Sequence, residues 1–145
     1  MAANRLTRKF LIATHGALAK GISSSLDIIA GQVENVHLIQ AYLDENKSIE
    51  EELAGLVGEP REDEEWVIFS DLLGGSITNQ ILRVSLRENV HVVAGFNLPV
   101  VLDILLAEAE SPLEAVIEQA ILNARDQLVY VNKLINQKKE EGSDD

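Results

Sequence analysis

The sequence contains no cysteine among its 145 residues. A disulfide framework, thiol chemistry and a cysteine-ligated metal are therefore excluded, and a reducing compartment suits the chain. The sequence also lacks any apolar run near the roughly 20 residues that a transmembrane helix needs. We therefore expect a cytoplasmic protein without a membrane span of its own.

Positive charge is scarce in this sequence. The chain has 12 Lys and Arg residues against 24 Asp and Glu residues, which gives a formal net charge of −12 at pH 7. Nucleic-acid phosphates attract the opposite sign of charge, so we expect no nucleic-acid partner. The acidic surface fits a basic protein partner, and it fits a simple soluble domain equally well.

Short apolar runs alternate with helical patterns along the chain. The runs that predict strands cover 9–14, 36–43, 66–71 and 90–95. Between these runs, apolar residues recur every three or four positions, which indicates amphipathic helices. Signals for helix starts stand at three places: Ser48 with Glu51, Asn97 with Pro99, and Ser111 with Pro112 and Glu114.

The alternation of strands and helices predicts an α/β fold. We expect a doubly wound, mainly parallel sheet in the strand order 2-1-3-4, with helices on both faces. The chain should form one domain over 1–135 and an acidic, disordered tail over 136–145. Residues 128–135, "LVYVNKLI", carry strand-type side chains, but they could also continue the preceding helix.

Polar residues follow the first and third predicted strands, which are neighbours in this strand order. His15 follows the first strand and Asp71 ends the third, so their side chains could meet at the switch point where such sheets bind ligands. A carboxylate that accepts a hydrogen bond from Nδ1–H leaves Nε2 of the imidazole as a nucleophile. His15 and Asp71 are therefore the candidate catalytic pair, although a histidine at a strand end is often only structural.

The turn after the third strand predicts an anion-binding site. Gly74, Gly75 and Ser76 lead into a helix, whose first N–H groups are unpaired and whose dipole favours negative charge. The hydroxyl groups of Ser76 and Thr14 could add further donors. We therefore predict that these four residues bind phosphate.

Three further sets of residues need an interpretation. Leu72 and Leu73 flank Asp71 and are candidate contacts for a partner protein, unless they belong to the core. His37 and His91 lie inside predicted strands and are expected to be structural. No set of histidines and carboxylates closes a metal site, and we expect neither a metal nor another cofactor.

Three segments together resemble the IIA component of the mannose/fructose/sorbose-type sugar phosphotransferase system (PTS): "ATHG" at 13–16, "SDLLGGSITN" at 70–79 and "AGFNLPVVLD" at 94–103. The resemblance implies a phosphotransferase component whose His15 takes a phosphoryl group on Nε2 from a histidine-containing phosphocarrier protein. The group would then pass to a IIB component, and Asp71 would be the partner of the histidine. Ile77 stands where the family often has proline, which could make the turn less rigid.

The resemblance also implies an assembly. It implies a homodimer that exchanges a C-terminal strand, so that 128–135 would be a strand. It further implies a link to the membrane only through the IIC and IID transporter subunits.

Three other functions are compatible with parts of this pattern. One is the phosphotransfer subunit of a dihydroxyacetone kinase system, whose corresponding loop is similar to Met-Gly-Ser. Another is an aspartyl-phosphate receiver with Asp71 as acceptor, although a receiver needs an acidic pair where Thr14 and His15 stand. A third is a binding module without covalent chemistry.

Overall fold

The computed structural model describes residues 6–59, 61–85 and 87–143, and within them lie four strands and six helices. The strands are β1 Thr7–His15, β2 Val36–Ala41, β3 Glu64–Ser70 and β4 Val90–Ala94. The helices are α1 Leu18–Ala30, α2 Ile49–Leu56, α3 Ser76–Ser85, α4 Leu98–Leu105, α5 Leu113–Arg125 and α6 Val131–Ser143. Over these same ranges, no helix is both long and apolar enough to cross a bilayer. Residues 1–5 of the predicted domain and 144–145 of the predicted tail lie outside the described ranges.

The four strands form one parallel sheet in the order β2-β1-β3-β4, which confirms the predicted α/β fold and strand order. In this sheet β1 pairs with β2 on one side and with β3 on the other. His15 at the end of β1 lies opposite Ala41, and Ala13 lies opposite Ser70. The carboxyl ends of three strands therefore meet at one edge of the sheet, at the switch point of the topology.

Side chains along the strands alternate between two separate apolar layers. Phe10 and Ile12 of β1 pack on one face of the sheet with α1, α4 and α5. Leu11 and Ala13 pack on the other face with α2 and α3. Both faces of the sheet are thus covered by helices, as parallel strands require, and the strand ends are held in fixed positions.

All three predicted helix starts are found, and the predicted side-chain cap forms at two of them. Oγ of Ser48 accepts a hydrogen bond from the N–H of Glu51 at 3.4 Å, and α2 follows. Oδ1 of Asn97 accepts the N–H of Val100 at 3.0 Å at the start of α4. Pro99 lies in the first turn of that helix, where a missing N–H costs nothing.

The start of α5 differs from the prediction of a capping box at Ser111. The helix begins at Leu113 after an extended Pro112, and among the described residues no side chain caps it. The Ser111 carbonyl instead accepts a hydrogen bond from the Arg8 guanidinium at 2.7 Å, and Nε of Arg8 lies 2.8 Å from a carboxylate oxygen of Glu65. This tertiary contact holds the loop before α5 against the amino end of the sheet, but it satisfies a carbonyl group and not the N–H groups that a cap would satisfy.

The C-terminal segment is helical in the single chain. The strand expected over 128–135 does not form within one chain, because α6 begins at Val131 and residues 128–130 pair with none of the described strands. Residues 136–143, expected in a disordered tail, continue this helix. A helix satisfies its backbone groups within its own segment, whereas a strand needs a neighbour. Exchange of this segment between two chains stays a prediction.

The single tryptophan of the sequence lies at the amino end of the sheet. Trp66 is 2% exposed, and its ring centroid lies 5.7 Å from Nζ of Lys9 and 5.5 Å from the centroid of His37. Burial and the charge of Lys9 lower the pKa of His37, although Glu64 acts in the opposite direction. His91 is half-buried in β4. These surroundings support a structural interpretation of both histidines.

Candidate active site

The carboxyl ends of β1 and β3 bring His15 and Asp71 into contact. Oδ2 of Asp71 accepts a hydrogen bond from the backbone N–H of His15 at 2.8 Å and lies 2.9 Å from Nδ1 of the ring. One carboxylate oxygen therefore positions both the backbone and the side chain of the histidine. An ionised carboxylate can only accept, so Nδ1 carries a proton, and in the neutral imidazole Nε2 then has the free lone pair.

The two side chains of this pair differ in their exposure. The side chain of His15 is 41% exposed and that of Asp71 only 11%. Burial raises the pKa of Asp71, but the hydrogen bonds from the backbone and ring of His15, together with the charge of that ring, outweigh burial. The pKa of Asp71 therefore lies below its usual value. The carboxylate stays ionised near neutral pH and can stabilise positive charge on the imidazole.

A tight turn separates His15 from α1. Gly16 has a φ of +58°, a region that favours glycine, and its N–H donates to the carbonyl of Ala41 at 2.8 Å. The hydroxyl of Thr14 accepts the N–H of Ala19 at 2.9 Å, and the Thr14 side chain is fully buried. Thr14 is thus the one predicted phosphate-binding residue that the structure does not bring to the surface.

The loop between β3 and α3 lies beside the imidazole. Gly74 has a φ of +76°, which again favours glycine. A Cβ atom on Gly75 would lie 3.4 Å from Cβ of Leu72 and 3.8 Å from Cε1 of His15, so the Gly75 backbone borders the ring. Ser76 begins α3, and the N–H groups of a first helical turn have no partner within the helix. Gly75 therefore lies beside His15, and Gly74 and Ser76 are its neighbours in the same turn.

Two buried hydroxyl groups hold this loop, and the sequence reasoning missed both. Oγ1 of Thr78 donates to the carbonyl of Leu72 at 2.6 Å and lies 2.7 Å from Oγ of Ser70. Because Thr78 has one proton and gives it to Leu72, Ser70 must be the donor to Thr78. Two small hydroxyl residues, one ending a strand and one in the next helical turn, are the signal that could have indicated this network.

Tyr42 also belongs to the site and was not predicted there. Its ring centroid lies 5.6 Å from that of His15 at an interplanar angle of 36°, and its hydroxyl oxygen lies 2.6 Å from Oγ of Ser76. The apolar pattern placed Tyr42 inside a strand over 36–43, whereas β2 ends at Ala41. The pattern of apolar residues does not indicate that the chain leaves the sheet at Tyr42.

Leu72 and Leu73 are exposed beside Asp71. Their exposed fractions are 57% and 83%, so the alternative that they belong to the core is wrong. Two exposed leucines next to a reactive imidazole are available to a partner protein.

The site does not have the arrangement of a phospho-receiver. Oδ2 of Asp71 is engaged by His15, and the end of β1 carries Thr14 and His15 instead of an acidic pair. Over the part of the chain that the structure describes, no group of three His, Asp or Glu side chains is placed to hold a metal ion.

A family comparison assigns the chain to a class of proteins. The family model for the PTS system fructose IIA component, EIIA-man, matches residues 9–121, and the chain belongs to this family. It is a PTS IIA component of the mannose/fructose type. Among curated protein sequences no match is found.

Solved structures of PTS proteins are similar to this chain. A phosphoenolpyruvate-dependent sugar PTS permease from Klebsiella pneumoniae is 29% identical with a TM-score of 0.85, covering 93% of this chain and 98% of that one. A PTS IIA protein associated with the fucose utilization operon of Streptococcus pneumoniae is 26% identical with a TM-score of 0.73, covering 93% and 99%. The mannose/sorbose-specific IIA subunit of Enterococcus faecalis is 19% identical with a TM-score of 0.68, covering 86% and 95%, and shares the fold.

Proposed function

We propose that this IIA component is a phosphocarrier. Nε2 of His15 accepts a phosphoryl group from the phosphorylated histidine-containing phosphocarrier protein and passes it to a IIB component. The observation that carries the proposal is the contact of Asp71 Oδ2 with both the backbone N–H and Nδ1 of His15, at 2.8 and 2.9 Å. This contact leaves Nε2 as the nucleophilic nitrogen on a partly exposed ring, and the family assignment supports the reaction class.

The first transfer exchanges one bond at phosphorus for another. The lone pair of His15 Nε2 forms a bond to phosphorus while the bond to the donor's ring nitrogen breaks, and the donor ring keeps that electron pair. Nδ1 of His15 keeps its proton, so the phosphorylated ring is positively charged. The ionised Asp71 carboxylate stabilises this charge where it develops.

The second transfer reverses these changes at His15. A nucleophile of the IIB component forms a bond to phosphorus, the bond to Nε2 breaks, and the electron pair returns to Nε2. Since Nδ1 is protonated before and after both steps, no proton has to move on His15. Fixed geometry and charge stabilisation are then the main tasks of the site.

The start of α3 supports the proposal by offering a place for the phosphoryl oxygens. The backbone N–H of Ser76 and the helix dipole favour negative charge there, whereas the N–H of Gly75 donates to the carbonyl of Leu72 at 3.3 Å. We expect Leu72 and Leu73, both exposed, to contact the donor and the acceptor in turn. Such exchange suits a small, transient interface below about 1,200 Å². Contact with a membrane would be indirect, through the IIC and IID subunits.

The test is to load the protein with labelled phosphate from the phosphorylated carrier and to expose samples to acid, alkali and hydroxylamine. A phosphohistidine should lose its label in acid and keep it in alkali. His15→Ala should abolish labelling. Asp71→Asn keeps the shape of the side chain without its charge and should slow labelling by about 100-fold.

Other outcomes separate the alternatives. Label that resists acid but is lost in hydroxylamine would indicate an acyl phosphate on Asp71 and would reject the proposal. Equal rates for the wild type and Asp71→Asn would remove Asp71 from the mechanism. Transfer to a dihydroxyacetone kinase, with none to a IIB component, would favour that second phosphotransfer system.

A further inference from the structure

Tyr42 leaves β2 in a backbone conformation that is rare for a bulky side chain. Its φ is +67°, in the left-handed region. Ile39 and Ala41 face the layer of α2 and α3, so regular alternation would turn Tyr42 to the opposite face of the sheet. Its side chain lies instead with His15 and Ser76. Unfavourable conformations of this kind persist only where the surroundings determine them, and they concentrate at functional sites.

Polar and ring contacts, more than burial, hold the Tyr42 side chain in this position. The residue is 61% exposed, so little apolar area is removed from water. Its hydroxyl oxygen lies 2.6 Å from Oγ of Ser76, and its ring lies against that of His15. Tyr42 thereby joins the nucleophile to the first residue of the predicted phosphate-binding helix.

We propose that Tyr42 is a positioning residue for the phosphoryl group, an inference that rests on the proposed function of His15. The Tyr42 hydroxyl donates to Oγ of Ser76, which directs the single proton of Ser76 towards a phosphoryl oxygen on His15. A hydroxyl that accepts one hydrogen bond is a stronger donor in the next. The opposite direction would turn the lone pairs of Ser76 towards an anion, which is unfavourable.

The experiment measures kcat/KM for phosphoryl transfer from the phosphorylated carrier to four proteins: the wild type, Tyr42→Phe, Ser76→Ala and the double variant. Tyr42→Phe keeps the ring and removes only the hydroxyl, and we expect a three- to tenfold loss, on the order of one hydrogen bond. The Ser76→Ala background is the matched control, because there Tyr42→Phe has no hydroxyl to act on. In that background Tyr42→Phe should therefore have no further effect.

Two further readouts separate this role from a structural one. The free energy of unfolding should be the same for the wild type and Tyr42→Phe, because the site is exposed. The ³¹P resonance of phosphorylated His15 should shift in Tyr42→Phe in the same direction as in Ser76→Ala. Independent, multiplicative losses in the double variant, or a loss of rate that follows a loss of stability, would overturn the proposal.

The outcomes also distinguish this inference from the proposed function. A wild-type protein that takes no acid-labile label from the carrier would reject the phosphocarrier function itself. A wild-type protein labelled on His15, with Tyr42→Phe transferring at the same rate, would reject only the role of Tyr42.

Discussion

At the scale of single residues, Asp71 contacts the backbone and the ring of His15 through the same oxygen atom, Oδ2. A change of protonation at Asp71 therefore alters the position of the histidine and the charge beside it together. The same two hydrogen bonds stabilise the ionised form of Asp71 and keep its pKa below the usual value despite burial. The titration of Asp71 is therefore expected to contribute both to the stability of the fold and to the chemistry proposed for the site.

This titration gives a pH dependence with a definite sign. The unfolded carboxyl has a pKa of about 3.9, and the folded pKa is lower, so ionised Asp71 stabilises the folded state above about pH 4. That contribution is lost as the pH falls through the folded pKa. Urea unfolding should show the wild type more stable than Asp71→Asn at pH 5–7, with a difference that shrinks towards pH 3.

The matched control is Asp103→Asn, which removes a carboxylate at an exposed position on α4. It reports the general effect of one negative charge fewer on an acidic protein. A stability difference between the wild type and Asp71→Asn that stays constant from pH 7 to pH 3 would contradict the linkage.

At the scale of elements, the sequence was sufficient to predict the strands and helix starts that depend on local residue patterns. The apolar runs predicted four buried strands, and the predicted strand order was sufficient to place His15 next to Asp71. The glycines and Ser76 were recognisable because a helix start after a glycine turn has a local signature.

The parts that were missed depend on tertiary neighbours. The cap predicted at Ser111 does not form, and the carbonyl of this residue accepts a hydrogen bond from Arg8, which lies more than 100 positions away along the chain. Tyr42 enters the site only because the backbone turns left-handed after β2. The segment over 128–135 can form a helix or a strand, depending on whether another strand lies beside it. The residue pattern within the segment was therefore not sufficient to predict its secondary structure.

The loop between β3 and α3 combines a fixed backbone with exposed side chains. The buried hydroxyl groups of Thr78 and Ser70 hold the loop through hydrogen bonds, while the Leu73 side chain is 83% exposed. We expect Leu73→Asp to slow phosphoryl transfer about tenfold or more, since a carboxylate would be left unpaired in an apolar contact. Steady-state rates with the phosphorylated carrier test this, and thermal unfolding should show an intact fold.

Leu106→Asp is the matched control for this change. Leu106 is 59% exposed and follows α4, at the end of the sheet opposite to His15. The substitution Leu106→Asp should leave the rate of phosphoryl transfer unchanged. Unfolding of Leu73→Asp, or equal losses of rate in both variants, would show that Leu73 makes no specific contact.

At the scale of the whole molecule, the densest run of exposed apolar residues in the described chain lies near its C-terminal end. Between Leu128 and Ile135 the chain exposes six large apolar side chains: Leu128, Val129, Tyr130, Val131, Leu134 and Ile135. The sheet order also leaves β4 with a neighbour on one side only, and an unpaired strand edge can accept another strand. A groove beside this edge is lined by Val92, Phe96 and Ile121, among others.

These features support the prediction of a homodimer in which 128–135 pairs with the sheet of the other chain. Sedimentation at micromolar concentration should give about twice the chain mass of 15.9 kDa. A chain ending at Gln127 should sediment as a monomer, whereas a chain ending at Ile135 should remain a dimer. A monomeric full-length chain would reject the dimer and the strand together.

The position of Trp66 has a consequence for how this protein can be observed. The only indole of the sequence is buried among Lys9 and His37 at one end of the sheet, and the imidazole that we propose to be phosphorylated is at the other. We therefore expect tryptophan emission to report the integrity of the core and to change little when His15 is phosphorylated. Loss of the fold would then be detected by fluorescence, and loss of phosphoryl transfer by chemical labelling. A variant that does not fold can therefore be distinguished from a folded variant that does not transfer phosphate.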